Sequence, residues 1–293
     1  MGGEEANGLP RSPAGALAKL PARTELFQRL ISGGILAGVA LWLTMLGPVS
    51  FAVLIAGVIA LAAWEYGRLV RGGGFDGAWA LQALGTAAAI GLIAYELPWL
   101  ALAALGLTAV ISASLAGARH AVFQAGGVAY LGTPALALAW LRDDPLNGVL
   151  AIIFIFLAVW SADTGAFAAG RLFGGPKLWP SLSPNKTWSG AIGGVALAMF
   201  AAWMFALATS HRAPGVLALT AALLAIASVL GDLFESGLKR RFGRKDASGL
   251  IPGHGGLLDR IDGLLFAALA AGAIAVIVAP GAPGAAVLAL VRR

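Results

Sequence analysis

The chain has 293 residues, of which 59% are hydrophobic and only 12% are charged. A soluble domain carries roughly 25% charged residues, so this composition excludes an ordinary water-soluble protein. The absence of cysteine excludes disulfides, thiolate nucleophiles and Cys-ligated metal sites. The net charge of +6 is typical of membrane proteins whose basic loops face anionic lipid, and we therefore expect membrane lipids and no nucleic acid as partners.

Long apolar runs predict membrane-spanning helices. A span needs about 20 mostly apolar residues, and runs around stretches such as "GVLAIIFIFLAVW" supply that length repeatedly. We predict an all-α fold, a polytopic integral membrane bundle of about nine helices. Whether the short first helix and the fifth, which contains Gly132 and Pro134, span fully is left open. The predicted helices cover 30–46, 49–69, 78–95, 98–117, 122–141, 147–169, 188–208, 214–231 and 262–282.

Basic residues between the helices predict the orientation. Lys and Arg collect at every second connection, and such connections face the cytoplasm. We therefore predict a cytoplasmic N-terminus and a multi-pass location in the inner (plasma) membrane. The predicted regions are a disordered cytoplasmic tail over 1–25, an N-terminal transmembrane region over 26–145 and a C-terminal catalytic transmembrane region with cytoplasmic polar loops over 146–293.

Two polar clusters interrupt the apolar sequence, and both fall at predicted cytoplasmic connections. The first covers 160–194, and the second covers 232–262. In the second cluster, 11 of 31 residues are Asp, Glu, Lys or Arg, against 34 of 293 in the whole chain. This concentration of charge beside a predicted span is the main indication of a functional site.

Four aspartates in these clusters lie at or near membrane depth. Asp163 falls inside the sixth predicted helix, Asp232 follows the eighth, and Asp259 and Asp262 lie three residues apart at the start of the ninth. Carboxylates there are costly and repel one another unless a cation lies between them, and Mg²⁺ prefers such oxygen ligands. The alternative is that Asp259 and Asp262 favour a helix N-terminus while Asp232 pairs with an arginine.

Basic and glycine-rich segments near these acids predict a phosphate site. The second cluster contains a basic run over 239–245 and four glycines over 249–256, and glycine lets backbone N–H groups approach an anion closely. In the first cluster, "SPNKTW" offers Ser183, Asn185, Lys186 and Thr187 as donors. The alternative for that segment is an ordinary helix N-cap at Thr187 or Ser189. The sequence alone leaves both interpretations open.

The second cluster also resembles the phosphatidate cytidylyltransferase (CDP-diacylglycerol synthase) family. The matching positions are Ser236, Leu238-Lys239-Arg240, Lys245-Asp246, Pro252, His254-Gly255-Gly256 and Asp259-Arg260-Ile261-Asp262. The segments "ADTGAFAAGRLFG", "SPNKTWSGAIGG" and "FQRLISG" are similar to the family as well. The resemblance implies that CTP and phosphatidic acid react to give CDP-diacylglycerol and pyrophosphate on the cytoplasmic side.

The resemblance also implies roles for individual residues. The expected cofactor is Mg²⁺, with a second cation left open, and its ligands are Asp232, Asp259 and Asp262, with Asp163 as a further candidate. The catalytic group comprises Asp232, Asp246, Asp259, Asp262 and Lys239. Substrate contacts are expected from Ser183, Asn185, Lys186, Thr187, Arg240, Lys245, His254, Gly255, Gly256 and Arg260.

Three further points stay open at this stage. One alternative function is another CTP-dependent lipid enzyme, such as a polyprenol or phytol kinase. A second is an ion-coupled transporter that uses its intramembrane aspartates. The oligomeric state, a homodimer included, is also open.

Overall fold

The protein is a bundle of long helices with one small hairpin. The computed structural model describes residues 23–117, 120–244, 248, 250 and 255–290, with side chains in the first helix from residue 32. The elements are α1 (Arg23–Leu46), α2 (Pro48–Val70), α3 (Gly77–Ile93), α4 (Pro98–Leu115), α5 (Ala121–Asp143), α6 (Gly148–Phe173), β1 (Lys177–Trp179), β2 (Ser183–Thr187), α7 (Trp188–Ala208), α8 (Pro214–Arg241), α9 (Leu258–Val278) and α10 (Pro283–Val287).

Seven of the described helices are long and apolar enough to cross a membrane, namely α2 and α4 to α9. The described apolar part of α1, Ser32–Leu46, and the helix α3 are shorter. The prediction of an all-α, multi-pass membrane protein is therefore confirmed, while the number of nine spans stays a prediction. Most of the predicted tail, residues 1–22, lies outside the described residues.

The helix α5 is continuous through the two residues that made its span uncertain. Gly132 and Pro134 are both buried inside the helix. Proline is tolerated in a membrane helix where neighbouring helices surround the disturbed backbone. At Gly132 a Cβ atom would lie 2.4 Å from a methyl group of Leu105, so glycine also lets α4 approach closely here.

Several predicted helix ends differ from the structure. Helix α8 continues ten residues beyond the predicted end at 231, because Leu233 and Glu235 are buried and Lys239 to Arg241 favour a helix C-terminus. Helix α9 begins at Leu258 rather than 262 and ends at Val278, since Pro280 forces extended backbone on Ala279. The hairpin β1–β2 and the short α10 were not predicted.

Small residues bring α8 and α9 into close contact. A Cβ atom at Gly231 would lie 2.4 Å from the backbone oxygen of Asp262, and one at Gly263 would lie 2.3 Å from the hydroxyl of Ser228. Helices in lipid associate through such close packing, because hydrocarbon gives no hydrophobic drive between them. The contact also places Asp232 next to Asp262 on the facing helix.

We expect Gly231→Ala to destabilise the protein, because the added methyl group overlaps backbone that cannot move aside. Overpacking of this kind costs about 1–3 kcal/mol. Thermal denaturation in detergent micelles should show a lower midpoint than the parent protein.

Gly237→Ala is the matched control on the same helix. A Cβ atom there meets only the methyl groups of Leu182, at 3.6 Å and 3.9 Å. Alanine is also the better helix former by roughly 0.5–1 kcal/mol. An equal loss of stability in the two variants would contradict the role of Gly231 in the α8–α9 contact.

Candidate functional site

A polar cavity of about 620 Å³ lies where α6 and α8 end and where α7 and α9 begin. The first turns of α7 and α9 both contribute residues to its wall. Its polar lining residues are Asp163, Arg171, Asn185, Lys186, Thr187, Ser228, Asp232, Asp259, Arg260 and Asp262. The cavity therefore joins the two polar clusters of the sequence.

Lys186 and Asp232 form an ion pair across this cavity. Lys186 comes from β2 and Asp232 from α8, and their side chains are 24% and 40% exposed. The pair is thus accessible to a ligand in the cavity. Asp163 on α6 and Asp262 on α9 line the same space.

Asp259 forms its ion pair with Lys239, whereas Asp232 pairs with Lys186. Its carboxylate accepts hydrogen bonds from Lys239 Nζ at 2.5 Å and from the backbone N–H of Gly256 at 3.0 Å. Lys239 Nζ also lies 2.5 Å from Glu235, whose side chain is only 1% exposed. Asp259 and Lys239 therefore belong to a partly buried charged group that supports the wall of the cavity.

The predicted metal ligands all line the cavity, but they have different partners. Within the described ranges, no three His, Cys, Asp or Glu side chains are arranged so that they could hold a metal ion. Asp232 and Asp262 lie on adjacent, closely packed helices and share the cavity, whereas Asp259 is held by Lys239. The prediction that all three bind one ion therefore stays a prediction.

The predicted phosphate contacts also divide into two groups. Asn185, Lys186, Thr187 and Arg260 line the cavity. Thr187 is in addition the N-cap of α7, since its hydroxyl accepts a hydrogen bond from Gly190 N–H at 3.1 Å, as the alternative interpretation predicted. Two other predicted contacts do not line the cavity. These are Ser183 on β2 and Arg240, which is exposed in the last turn of α8.

The turn before α9 contains the remaining described candidates. Gly255 has a φ of 85°, a conformation that favours glycine. The N–H group of Gly256 binds Asp259, so in this structure it serves the helix start rather than a ligand. Lys245, Asp246 and His254 lie outside the described residues.

Sequence reasoning missed three charged residues at or near the site. Arg171 lines the cavity, whereas its position in the sequence indicated only a basic residue at a predicted cytoplasmic connection. Glu235 lies four residues before Lys239, a spacing that places the two side chains together on a helix and could have revealed the pair. Glu65 on α2 contacts the start of α9, and no local pattern indicates that contact.

Comparison with known proteins shows the family of the chain. A sequence profile described as the cytidylyltransferase family matches residues 27–278. The chain belongs to this family. It is 39% identical over 254 residues to the phosphatidate cytidylyltransferase of Brucella suis biovar 1 (strain 1330), covering 84% of this chain and 91% of the relative.

Two further relatives carry the same name. The phosphatidate cytidylyltransferase of Pseudomonas aeruginosa is 38% identical over 267 residues, which cover 83% of this chain and 96% of the relative. That of Haemophilus influenzae is 47% identical over 135 residues, or 44% of this chain and 46% of the relative. The similarity to cytidylyltransferases therefore extends over most of the chain.

For this cytidylyltransferase-family chain we expect Lys239→Met to be strongly destabilising. Methionine has a similar length but removes the ammonium group that lies between Glu235 and Asp259. Breaking a buried ion pair by removing one partner costs on the order of 3 kcal/mol. The midpoint of thermal denaturation in detergent should fall accordingly.

The double variant Glu235→Gln/Lys239→Met is the control, because it also removes one of the two negative charges. It should be more stable than Lys239→Met alone. If Lys239→Met were as stable as the parent protein, the charged group would have no structural role.

Proposed function

We propose that the chain is a phosphatidate cytidylyltransferase, which converts CTP and phosphatidic acid into CDP-diacylglycerol and pyrophosphate in phospholipid biosynthesis. The observation that carries the proposal is the cavity itself, where cationic side chains and carboxylates meet at the ends of membrane-spanning helices. A nucleotide and a lipid headgroup can meet there. Family membership and the names of the relatives support the same reaction.

The reaction needs charge neutralisation more than it needs a protein nucleophile. A phosphate oxygen of phosphatidic acid attacks the α-phosphorus of CTP, a new P–O bond forms, and the bond from the α-phosphorus to the bridging oxygen of pyrophosphate breaks. The chain has to align two anions and stabilise the charge that develops. Lys186, Arg260 and Arg171 line the cavity and are our candidates for the phosphate contacts.

We further propose Asp232 and Asp262 as the protein ligands of Mg²⁺. Mg²⁺ is commonly held by one or two carboxylates together with substrate phosphates, so a pair of aspartates fits it. When bound, the ion would neutralise charge on the α-phosphate and on the leaving pyrophosphate. Asp163 lines the same cavity and is the candidate for the second cation. In this proposal Asp259 orients Lys239 and the start of α9.

The predicted orientation gives this cavity access to CTP. With nine spans and a cytoplasmic N-terminus, the ends of α6 and α8 and the starts of α7 and α9 face the cytoplasm. The basic residues Arg171, Lys177, Lys186 and Lys239 to Arg241 lie at that end, which supports this orientation. A homodimer stays a prediction.

We expect the purified protein to form a CDP-lipid from phosphatidic acid and CTP labelled at the α-phosphate. The label should enter the lipid fraction, and pyrophosphate should appear in equal amount. A chelator should abolish the activity and Mg²⁺ should restore it. A lipid kinase would leave the label in CDP, and a transporter would form neither product.

Variants in the same assay test the assigned residues. Asp262→Asn and Lys186→Met should each lower kcat by at least about 100-fold, because each removes charge that stabilises the transition state. Glu96→Gln is the control, since Glu96 is exposed between α3 and α4, away from the cavity. Near-parental turnover in both site variants would refute the assignment.

Single cysteines can test the orientation, since the chain has none of its own. The labelled residue should lie at the connection between α5 and α6 and be accessible. Asp144 does not meet the second condition, because it is buried and accepts hydrogen bonds from the N–H groups of Asn147 and Gly284. Leu146, at the same connection, is 87% exposed. A membrane-impermeant thiol reagent should label Leu146→Cys in intact cells, and should label Arg244→Cys only after permeabilisation. The reverse pattern would place the cavity on the wrong side for CTP.

A further inference from the structure

The carboxylate of Glu65 is buried in the bundle far from its own segment of the sequence. Glu65 lies near the end of α2, with no exposed surface, and the residues that it contacts are more than 180 positions later in the chain. A buried carboxylate is costly unless its oxygens are satisfied. Its partners therefore indicate why it is there.

All of these partners belong to the segment that leads into α9. One oxygen of Glu65 accepts hydrogen bonds from the Ser248 hydroxyl and from the N–H group of Leu257, the latter at 2.9 Å. The other oxygen accepts from the N–H group of Leu258 at 2.6 Å. Glu65 thus holds two consecutive backbone donors at the first turn of α9 and one side chain from the preceding loop.

These contacts replace a local helix cap. The first N–H groups of a helix have no partner within it, and the N-cap residue Leu257 has no side chain that could bind them. The carboxylate of Glu65 binds these groups instead, and a negative charge is favourable at this end of a helix dipole. Helix α2 therefore provides the cap of α9.

The same turn carries the functional residues of α9. Asp259, Arg260 and Asp262 follow within four residues of Leu258, and all three line the cavity. Gly256, immediately before the two amides held by Glu65, donates to Asp259, which in turn binds Lys239. The direction of the first turn thus determines where these side chains point.

We propose that Glu65 is a positioning residue that fixes the first turn of α9 and thereby orients Asp259, Arg260 and Asp262 toward the cavity. The catalytic part of this inference rests on the proposed function. Glu65 itself is not placed in the cavity wall, so it acts through the backbone N–H groups of Leu257 and Leu258. The N-terminal half of the chain then contributes to the site without contacting the substrates.

The chemistry of a carboxylate is required for this role. In Glu65→Gln, an NH₂ group replaces one of the two accepting oxygens. In either orientation of the amide, that group faces a backbone N–H, so two donors oppose each other and a hydrogen bond is lost. The first turn of α9 should open more often, while side-chain volume hardly changes.

The first measurement is amide hydrogen exchange by mass spectrometry on the full chain in detergent or nanodiscs. In Glu65→Gln, the peptide that covers 255–262 should exchange at least about tenfold faster than in the parent protein. Tyr66→Phe is the matched control, because it removes a hydrogen bond of the neighbouring residue that does not involve α9. The hydroxyl of Tyr66 donates to the carbonyl oxygen of Phe123 on α5, at 2.6 Å. Exchange of 255–262 should not change in that control.

The second measurement is steady-state kinetics with CTP and phosphatidic acid. We expect kcat of Glu65→Gln to fall at least about tenfold, with less than about threefold change in KM for phosphatidic acid. Tyr66→Phe should stay within about twofold of the parent in both values. Ser248→Ala removes one of the three hydrogen bonds and keeps the carboxylate, so it should show a smaller decrease in kcat and a smaller increase in exchange.

The combined outcomes decide the proposal. Faster exchange and lower kcat, confined to Glu65→Gln and to a lesser degree Ser248→Ala, support it. Unchanged exchange at 255–262, or faster exchange with parental kcat, overturns it. If Glu65→Gln does not fold, Ser248→Ala decides by the same criteria. If the parent protein forms no CDP-lipid, the proposed function fails, and the exchange contrast alone decides whether Glu65 holds α9.

Discussion

The structure of the site depends on how the N-terminus of α9 is held. Three consecutive backbone N–H groups, at Gly256, Leu257 and Leu258, donate to carboxylates of Asp259 and Glu65. Glu65 on α2 accepts two of these three hydrogen bonds, and Asp259 connects the same turn to Lys239 on α8. Because these hydrogen bonds are buried or partly buried, each one that is lost would leave a costly unpaired donor. The carboxylates therefore fix one geometry for α9.

Charged residues around this turn have two distinct tasks. Lys239, Glu235 and Asp259 contact one another and are largely shielded, so they hold α8 and α9 together. Lys186 and Asp232 are more exposed and face the cavity. A charge that is already surrounded by protein partners is poorly available to a ligand, whereas a pair open to the cavity can exchange its partner for a phosphate or a cation. Exposure therefore separates supporting charges from those available to substrates.

Close helix packing sets the distances between the available charges. Gly231 allows the backbone of α9 to pass directly against α8, and this contact brings Asp232 and Asp262 together. On the other side of the cavity, Thr187 ends β2 and caps α7, which fixes Lys186 immediately before the helix. The polar site thus depends on a close-packing glycine and a helix cap as well as on its charged residues. Substitutions at such positions affect function through geometry.

The sequence by itself determined the class of fold and the approximate position of the site. Apolar runs of spanning length have few alternatives to a membrane helix, because lipid leaves no other partners for the backbone. The clusters at 160–194 and 232–262 contain most of the residues that line the cavity, and the family resemblance, which the comparisons confirm, came mainly from the second of them. Local sequence patterns carried both conclusions, since the length of an apolar run and the density of charge are properties of short segments.

Only the tertiary structure decided which charges meet. Asp259 and Asp262 are three residues apart on one helix, and the sequence treated them as equivalent metal ligands. In the fold both line the cavity, but Asp259 is bound to Lys239, whereas Asp262 lies beside Asp232. Glu65 shows the same limit, because its partners lie in a segment more than 180 residues away and no local pattern connects them. Which groups pair depends on the packing of α2, α8 and α9, and long-range packing is not encoded in the spacing of residues along one helix.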